Sequence, residues 1–223
     1  MQTAQNHSPL FAVCGDGGHG REMMPFAALQ ILSLGISIER LVFIGMATTT
    51  EKLNSFRVIS HDDFLEQAAS EKFMTIAIGD SSLRQKIFIR WSAYGIKPWE
   101  IRAPSAYIAA SAQLGPGCQI SPLAVVNANT VLGSHVLINT GCNIAHDCWL
   151  GDYVTLAPGV LCNGNVRIEQ HAYIGSGAIL RNGTALKPLV IGEGAIVGMG
   201  AVVTKDVPAG TTVVGNPAKP INK

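Results

Sequence analysis

Two short stretches of this 223-residue chain carry residue types that could do chemistry. The first is the glycine-rich segment Gly15-Asp16-Gly17-Gly18-His19-Gly20, which follows a short apolar stretch. A loop of this kind can turn backbone N–H groups and a helix N-terminus toward a phosphate. The second is His146, which Asp147 and Cys148 follow. An imidazole titrates near neutral pH and can accept a proton from a reacting group.

Neither stretch identifies a reaction by itself. The glycine loop fits the G-x-G-x-x-G fingerprint, but an NAD-binding domain needs an acidic residue after its second strand. The chain has Gly45-Met46 there. His146 lies at or beside a predicted turn, as do His135 and His171. The residues alone predict a solvated turn side chain for each of the three histidines.

Composition excludes several classes of protein. Apolar residues make up 48% of the chain and charged residues 14%, with a net charge of +1. This excludes an intrinsically disordered chain and predicts no general attraction to nucleic acid. No stretch approaches 18 consecutive apolar residues, so no membrane span is predicted. The first ten residues lack a basic residue and a long apolar run, so we expect no secretory signal and a cytoplasmic protein.

Charge is distributed unevenly along the chain. Residues 1–102 contain 20 of the 31 charged residues and residues 103–223 contain 11, so we place a domain boundary near Pro104. In the first segment, strand patterns at 11–14, 41–44 and 73–78 alternate with helix patterns at 22–34, 61–69 and 80–94. This order predicts a small Rossmann-like parallel α/β sheet.

The second segment has a six-residue period. The fourteen positions taken every six residues from Ile108 to Leu186 are all apolar. The fourteen positions two residues before them, from Ala106 to Thr184, are all small or β-branched. Residues two apart share a face of a strand, so each repeat predicts a short strand whose two inward side chains fill a shared core. A phase slip after Leu186 predicts a protruding loop near Lys187-Pro188.

The six-residue pattern also predicts where the cysteines lie and whether the chain forms an oligomer. Four of the five cysteines fall in the inward columns and Cys14 ends the first strand, so we predict buried thiols in a reduced protein. No cysteine pair has zinc-ligand spacing, and we expect no metal. Only five charged residues fall between Ile108 and Ala185. So little charge predicts a surface covered by identical subunits.

Several motifs together resemble one known family. They are the hexad repeat, the glycine loop, Asn139-Thr140, Ile144–Cys148, Leu150–Val154, Ala77–Asp80 and the ending Val214–Lys219. The chain resembles the left-handed β-helix acyltransferases. Within them it is similar to the nucleotide-sugar N-acetyltransferases of the UDP-N-acetylbacillosamine and GDP-perosamine pathways, and to the related sialic acid O-acetyltransferases. The implied fold class is α/β plus all-β: a Rossmann-like nucleotide-sugar-binding domain over 1–102 and a left-handed parallel β-helix over 103–223. The resemblance also implies a homotrimer.

The resemblance implies a reaction and its residues. Acetyl-CoA would acetylate the 4-amino group of a nucleotide-linked 4-amino-4,6-dideoxy sugar, with UDP as the expected nucleotide, in glycan or O-antigen precursor synthesis. His146 would be the general base, Asp147 its acidic neighbour and Asn139 a polar residue near the reacting centre. Acetyl-CoA contacts map to Thr155, Gly164, Ser176 and Met199. Nucleotide-sugar contacts map to Gly17, Gly18, His19, Gly79 and Asp80.

Other functions remain open at this stage. A sugar or sialic acid O-acetyltransferase of the same fold would differ only in its acceptor. A non-catalytic nucleotide-sugar-binding solenoid would lack acetyl-CoA binding. A β-helix carbonic anhydrase would need a second histidine five residues from His146, where the chain has Gly141 and Gly151.

Overall fold

The computed structural model describes residues 8–45 and 52–221. It consists of two compact units, residues 1–102 and residues 103–223. Dinucleotide-binding folds have an acidic residue after the second strand, where this chain has Gly45-Met46. Met46 lies outside the described residues. None of the helices in the described ranges is long and apolar enough to cross a membrane.

The first unit is a mostly parallel six-stranded sheet with helices on both sides. Its strands are β1 (Leu10–Cys14), β2 (Leu41–Ile44), β3 (Lys52–Leu53), β4 (Phe56–Ile59), β5 (Lys72–Ile76) and β6 (Lys97–Pro98), and β7 (Ile101–Arg102) follows them. Its helices are α1 (Gly18–Ser33), α2 (His61–Glu66) and α3 (Ser81–Ser92), with a 3₁₀ turn at Ile38–Arg40. The strand order is β3-β4-β2-β1-β5-β6, and only the β3–β4 pair is antiparallel.

Burial on both faces explains the apolar strands of this sheet. Alternate residues of β1 enter two separate cores: Phe11 and Val13 lie on the side of α1, and Ala12 lies on the side of α2 and α3. Because helices cover both faces, a central strand of this kind needs no polar side chain. Trp91 of α3 and Phe64 of α2 are the large aromatic residues of the second core.

The element boundaries differ from the sequence expectation mainly at α1. This helix begins at Gly18, inside the glycine loop, and not at residue 22. Gly20 lies against the carbonyl oxygen of Gly15, in a space that a Cβ would fill. The close packing of Gly20 against Gly15 therefore stabilises the first turn of α1, although glycine has a low helix propensity. The predicted cap of α2 is confirmed, because the Ser60 side chain accepts from the Asp63 backbone N–H and completes a capping box.

The second unit is a parallel β-helix with three faces. The first face contains β10 (Gln119–Ile120), β13 (Leu137–Ile138), β16 (Thr155–Leu156), β19 (Tyr173–Ile174), β22 (Ile196–Val197) and β24 (Thr212–Val214), with β25 (Lys219–Pro220) antiparallel to β24. The second contains β8 (Tyr107–Ile108), β11 (Val125–Val126), β14 (Asn143–Ile144), β17 (Leu161–Cys162), β20 (Ile179–Leu180) and β23 (Val202–Val203). The third contains β9 (Gln113–Leu114), β12 (Val131–Leu132), β15 (Trp149–Leu150), β18 (Val166–Ile168) and β21 (Leu189–Ile191).

Each regular coil is three hexads long, because Leu137 pairs with Thr155 and Thr155 pairs with Tyr173. Both predicted columns line the continuous core, which confirms the hexad interpretation except at the last member of each column, Thr184 and Leu186, which are exposed. Leu186 is 99% exposed, so its assignment to the inward column is wrong. Thr184 and Lys187 bond each other's backbone in a projecting turn, and Leu189 enters the core instead. The irregularity therefore begins one repeat earlier than predicted.

Many turns of the β-helix place a non-glycine residue in the left-handed region of backbone conformation. His135, Asp147, Tyr153 and His171 have φ values of 54°, 57°, 60° and 61°. His135 is fully buried and stacks in parallel on Tyr153, which stacks on His171. The prediction of a solvated side chain is therefore wrong for His135.

Candidate active site

His146 lies at the corner where the chain leaves β14 on the second face and enters β15 on the third. We call this the His146 corner. Adjacent residues of an extended strand point in opposite directions. Asp147, however, has a φ of 57°, and this left-handed turn brings its carboxylate to its neighbour. The His146 Nδ1 and Asp147 Oδ2 atoms are 2.7 Å apart, and the histidine side chain is 61% exposed.

Asn129, which belongs to no predicted site, holds the other oxygen of this carboxylate. It lies at the His146 corner one coil earlier, and its Nδ2 donates to Asp147 Oδ1 over 3.0 Å. The hydrogen bond with His146 and then that with Asn129 lower the pKa of Asp147. Asn129 and Asp147 are 18 residues apart, which is one coil of the repeat, and that spacing was the available signal.

These contacts orient the imidazole. An ionised carboxylate only accepts hydrogen bonds, so its partner Nδ1 must carry the proton. In the neutral ring the lone pair then lies on Nε2. His146 is therefore arranged to accept a proton at Nε2 while Asp147 holds Nδ1.

Gly164 lies under the imidazole ring at the same corner, one coil later. A Cβ built on Gly164 would lie 2.7 Å from both Cε1 and Nε2 of His146. The backbone of this coil also holds the histidine, because the Asn165 N–H donates to the His146 carbonyl oxygen over 3.1 Å. Glycine at 164 thus allows the ring to lie flat against the backbone of the next coil.

Asn139 lies at a different corner, between the first and second faces. Its Nδ2 donates to the Leu156 carbonyl oxygen over 2.7 Å. Asn127 and Asn163 make the same kind of bond to the carbonyls of Ile144 and Leu180. This contact links successive coils, and the structure does not bring Asn139 to the His146 corner of its own chain. Its role near a reacting centre stays a prediction.

The four acetyl-CoA positions divide between two corners and one face. Gly164 contacts His146, whereas Ser176 and Met199 lie at the Asn139 corner of later coils, where the Gly200 N–H donates to the Ser176 carbonyl. The Met199 side chain is exposed, and Thr155 is buried on β16 of the first face. Their contacts with acetyl-CoA remain predictions.

A separate pocket of about 800 Å³ opens in the first unit. It lies at the carboxyl ends of β1, β2, β4 and β5, where open α/β sheets bind ligands. Gly17, Gly18, His19 and Gly79 line it, and their contacts with a nucleotide sugar stay a prediction. A Cβ on Gly17 or Gly18 would meet no atom within 4 Å, so the backbone there is open to a ligand.

Asp80 has a structural position instead. It is the N-cap of α3, and its Oδ1 accepts a hydrogen bond from the Leu83 N–H over 2.8 Å. It does not belong to the residues that line the pocket, so its proposed substrate contact stays a prediction. Behind the same segment, the buried Arg84 donates to the carbonyls of Ile78 and Gly79 and fixes the chain after β5.

The pocket also contains polar residues for which the sequence predicted no role: Asp16, His61, Asp62 and Arg90. The His61 ring stacks on Trp91 with centroids 4.4 Å apart. Burial, and then the charge of Arg90, lower the pKa of His61. His61 is thus kept neutral beside a cation. Asp16 lies in the glycine loop, whereas no sequence motif marks His61, Asp62 or Arg90, because these residues come together only through the order of the strands.

The cysteines lie inside, as predicted. All five are free and buried. Cys148 follows the catalytic candidates in sequence but points into the core, where its Sγ donates to the Asn163 carbonyl and lies 3.9 Å from Cys162 Sγ. Across residues 8–45 and 52–221, no cluster of three His, Cys, Asp or Glu side chains could hold a metal ion.

Two family models match the chain. The PglD N-terminal domain matches residues 11–91, and the bacterial transferase hexapeptide (six repeats) matches residues 129–164.

The similar proteins match both units together. A GDP-perosamine N-acetyltransferase of Escherichia coli O157:H7 is 42% identical over 96% of this chain and 97% of its own length. The solved structure of WeeI from Acinetobacter baumannii AYE is 42% identical, with a TM-score of 0.92 over 96% of this chain and all of that one. The acetyltransferase domain of PglB from Neisseria gonorrhoeae FA1090, in complex with acetyl coenzyme A, is 34% identical, with a TM-score of 0.84 over 96% of this chain and all of that one.

These matches confirm the predicted fold class, a Rossmann-like α/β domain followed by a left-handed parallel β-helix. They also confirm that the chain is an acetyltransferase. The chain belongs to the hexapeptide-repeat acyltransferases, in their subfamily of nucleotide-sugar N-acetyltransferases.

Proposed function

We propose that the chain transfers the acetyl group of acetyl-CoA to the 4-amino group of a GDP-linked 4-amino-4,6-dideoxy sugar. The observation that carries this proposal is the His146–Asp147 pair, whose geometry leaves Nε2 as a proton acceptor above Gly164. Removing a proton from an amine as it attacks a thioester is chemistry that a neutral imidazole can assist.

The reaction needs few groups from the protein. The amine nitrogen attacks the thioester carbon, a C–N bond forms, and the C–S bond breaks. The nitrogen proton passes to His146 Nε2 and from there to the departing CoA sulfur. No cysteine nucleophile is required, which agrees with the inward orientation of Cys148. Asp147 and Asn129 act as positioning residues for the base.

The pocket of the first unit is proposed as the nucleotide site. Its volume of about 800 Å³ suits a nucleoside diphosphate, and its open glycine backbone can donate N–H groups to phosphates. We favour GDP over the UDP expected from the sequence, because a relative 42% identical over 96% of the chain is named for GDP-perosamine. Perosamine is a 4-amino-4,6-dideoxy sugar, so the acceptor amine is the one the sequence implied.

A homotrimer is part of the proposal. Few charged residues cover the β-helix, and large apolar side chains are exposed on it, including Tyr107, Leu161 and Met199. A second and third copy could cover such a surface. Light scattering coupled to size exclusion measures the mass directly, and a monomer would contradict this part of the proposal.

The test is an acceptor panel. Release of free CoA from acetyl-CoA is measured with GDP-, UDP- and dTDP-linked 4-amino-4,6-dideoxy sugars, each beside its 4-hydroxy analogue. We expect turnover with the GDP-linked amine and none with the alcohol. Turnover only with the UDP-linked amine would overturn the choice of nucleotide. Turnover only with hydroxyl acceptors would make the chain an O-acetyltransferase, and absence of acetyl-CoA binding would favour a non-catalytic solenoid.

A further inference from the structure

Ile44 and Gly45, the described residues at the end of β2, bring no acidic side chain of the kind that a nucleotide pocket of this topology uses. In dinucleotide-binding folds a carboxylate after the second strand accepts hydrogen bonds from the ribose hydroxyls. Here β2 ends at Ile44 and Gly45 follows, inside the lining of the pocket. Gly45 brings no side chain to that place.

A carboxylate nevertheless occupies that place, and it comes from the neighbouring loop. A Cβ built on Gly45 would lie 2.5 Å from Asp16 Oδ2 and 3.1 Å from Asp16 Cγ. The Asp16 carboxylate therefore stands where the side chain of residue 45 would begin. The sheet explains this placement, because β1 and β2 are parallel neighbours and Cys14 pairs with Ile44.

Asp16 has the properties of a ligand-binding carboxylate. It lines the pocket and is half-buried. No residue in the ranges 8–45 and 52–221 forms an ion pair or side-chain hydrogen bond with it. A carboxylate can accept two hydroxyl hydrogen bonds at once, one on each oxygen, and such charge-assisted bonds are strong. The 2′ and 3′ hydroxyls of a ribose offer that pair of donors.

We infer that Asp16 is the ribose-binding carboxylate of this chain, supplied by the loop after β1 in place of an acid after β2. The inference rests on the proposed nucleotide site and adds a specificity residue to it. Gly45 then has a definite role, because any side chain there would collide with the Asp16 carboxylate and with Val58 Cγ1, 2.8 Å from the same Cβ position.

Calorimetric binding of GDP and 2′-deoxy-GDP to the full chain tests this inference. We expect the unaltered protein to bind GDP about 10-fold more tightly than its 2′-deoxy form, as for a hydrogen bond to a charged group. Asp16→Asn should weaken GDP binding by about 10- to 100-fold and bring the two affinities close together. In turnover, the same variant should raise the KM for the nucleotide sugar and leave kcat and the KM for acetyl-CoA unchanged.

Two further variants separate this role from a structural one. Asp62→Asn removes a carboxylate elsewhere in the same pocket and should leave the preference for the 2′ hydroxyl intact. Gly45→Ala keeps the Asp16 carboxylate but displaces it, and should lose the preference as Asp16→Asn does. Circular dichroism confirms that each variant is folded.

The outcomes are distinct. Retention of the 2′-hydroxyl preference in Asp16→Asn, or its loss in Asp62→Asn alone, would overturn the assignment of Asp16. Failure of the unaltered protein to bind GDP, UDP or their 2′-deoxy forms would overturn the proposed nucleotide site itself, and with it this assignment.

Discussion

Substitution of Gly164 by alanine should separate catalysis from folding at the His146 corner. The new Cβ would lie 2.7 Å from Cε1 and Nε2 of His146 and 3.2 Å from Nδ1. Carbon atoms in contact prefer separations of about 3.5–4.0 Å, so the ring must move by roughly 1 Å. The exposed imidazole can move where a buried group could not, and Gly164 has no positive φ that would strain an alanine.

The expected cost therefore falls on turnover. A misplacement of about 1 Å can lower a rate about 10²-fold, so Gly164→Ala should lower kcat by about that factor. Its free energy of unfolding should stay within about 0.5 kcal/mol of the unaltered protein, because the group that the new Cβ displaces is the exposed His146 side chain. The assays are initial rates of CoA release and urea denaturation.

A double substitution gives the control. If the alanine acts by moving the base, Gly164→Ala should lower kcat no further in a His146→Ala background. Additive effects in the double variant would refute this reasoning. A raised KM for acetyl-CoA with unchanged kcat would do so as well, because Gly164 would then act only as a cofactor contact.

Three further predictions concern residues around the two sites. Asp147→Asn should lower kcat by about 10- to 100-fold, because the amide can donate to Nδ1 of His146 and so favour the wrong tautomer; this loss is smaller than that caused by removing the base. Asn129→Ala should lower kcat by a smaller factor than Asp147→Asn does. The pH profile of kcat should shift in both variants. Asp80→Ala should cost about 1 kcal/mol of unfolding free energy through loss of the α3 cap, measured by urea denaturation; a raised KM for the nucleotide sugar in the same variant would support its predicted substrate contact. Burial raises the pKa of the Cys14 thiol to about 12 and that of Cys142 to about 11. The unfolded chain therefore loses these two protons at a lower pH than the folded chain does. Urea denaturation should show full stability below about pH 8.5 and a decline as pH rises toward 11 and 12; stability that is flat or rising across that range would contradict the burial of these thiols.

The β-helix could be predicted almost residue by residue, because its period is a direct consequence of burial. Two inward positions in every six residues recur in the sequence wherever the coil is regular. The exception, Leu186, has an apolar side chain in the correct register and still lies on a projecting turn. Composition alone cannot show that a loop has been inserted between Leu180 and Leu189.

The start of α1 and the pairing within the His146 corner were harder to predict, for different reasons. Gly18 and Gly20 have poor helix propensity, and only the fit of Gly20 against Gly15 makes the helix begin there. The contact of Asp147 with His146 depends on a left-handed backbone at a non-glycine residue, which sequence pattern does not encode. Asn129 could have been found from the 18-residue coil.

The pocket of the first unit combines residues from four loops, of which only the glycine loop and the Ala77–Asp80 segment belong to a sequence motif. Asp16 was part of the glycine-loop motif but stood at one of its variable positions. The inferred role of Asp16 in ribose binding follows from the position of its carboxylate against Gly45, and this position requires the parallel pairing of β1 with β2.

The central claim is that His146 is the base of acetyl transfer, and steady-state turnover of His146→Ala tests it most directly. With acetyl-CoA and the GDP-linked 4-amino sugar, we expect kcat to fall by at least about 10²-fold while both KM values and the subunit assembly are unchanged. Turnover close to that of the unaltered protein would contradict the account, because another group would then have to remove the proton from the amine.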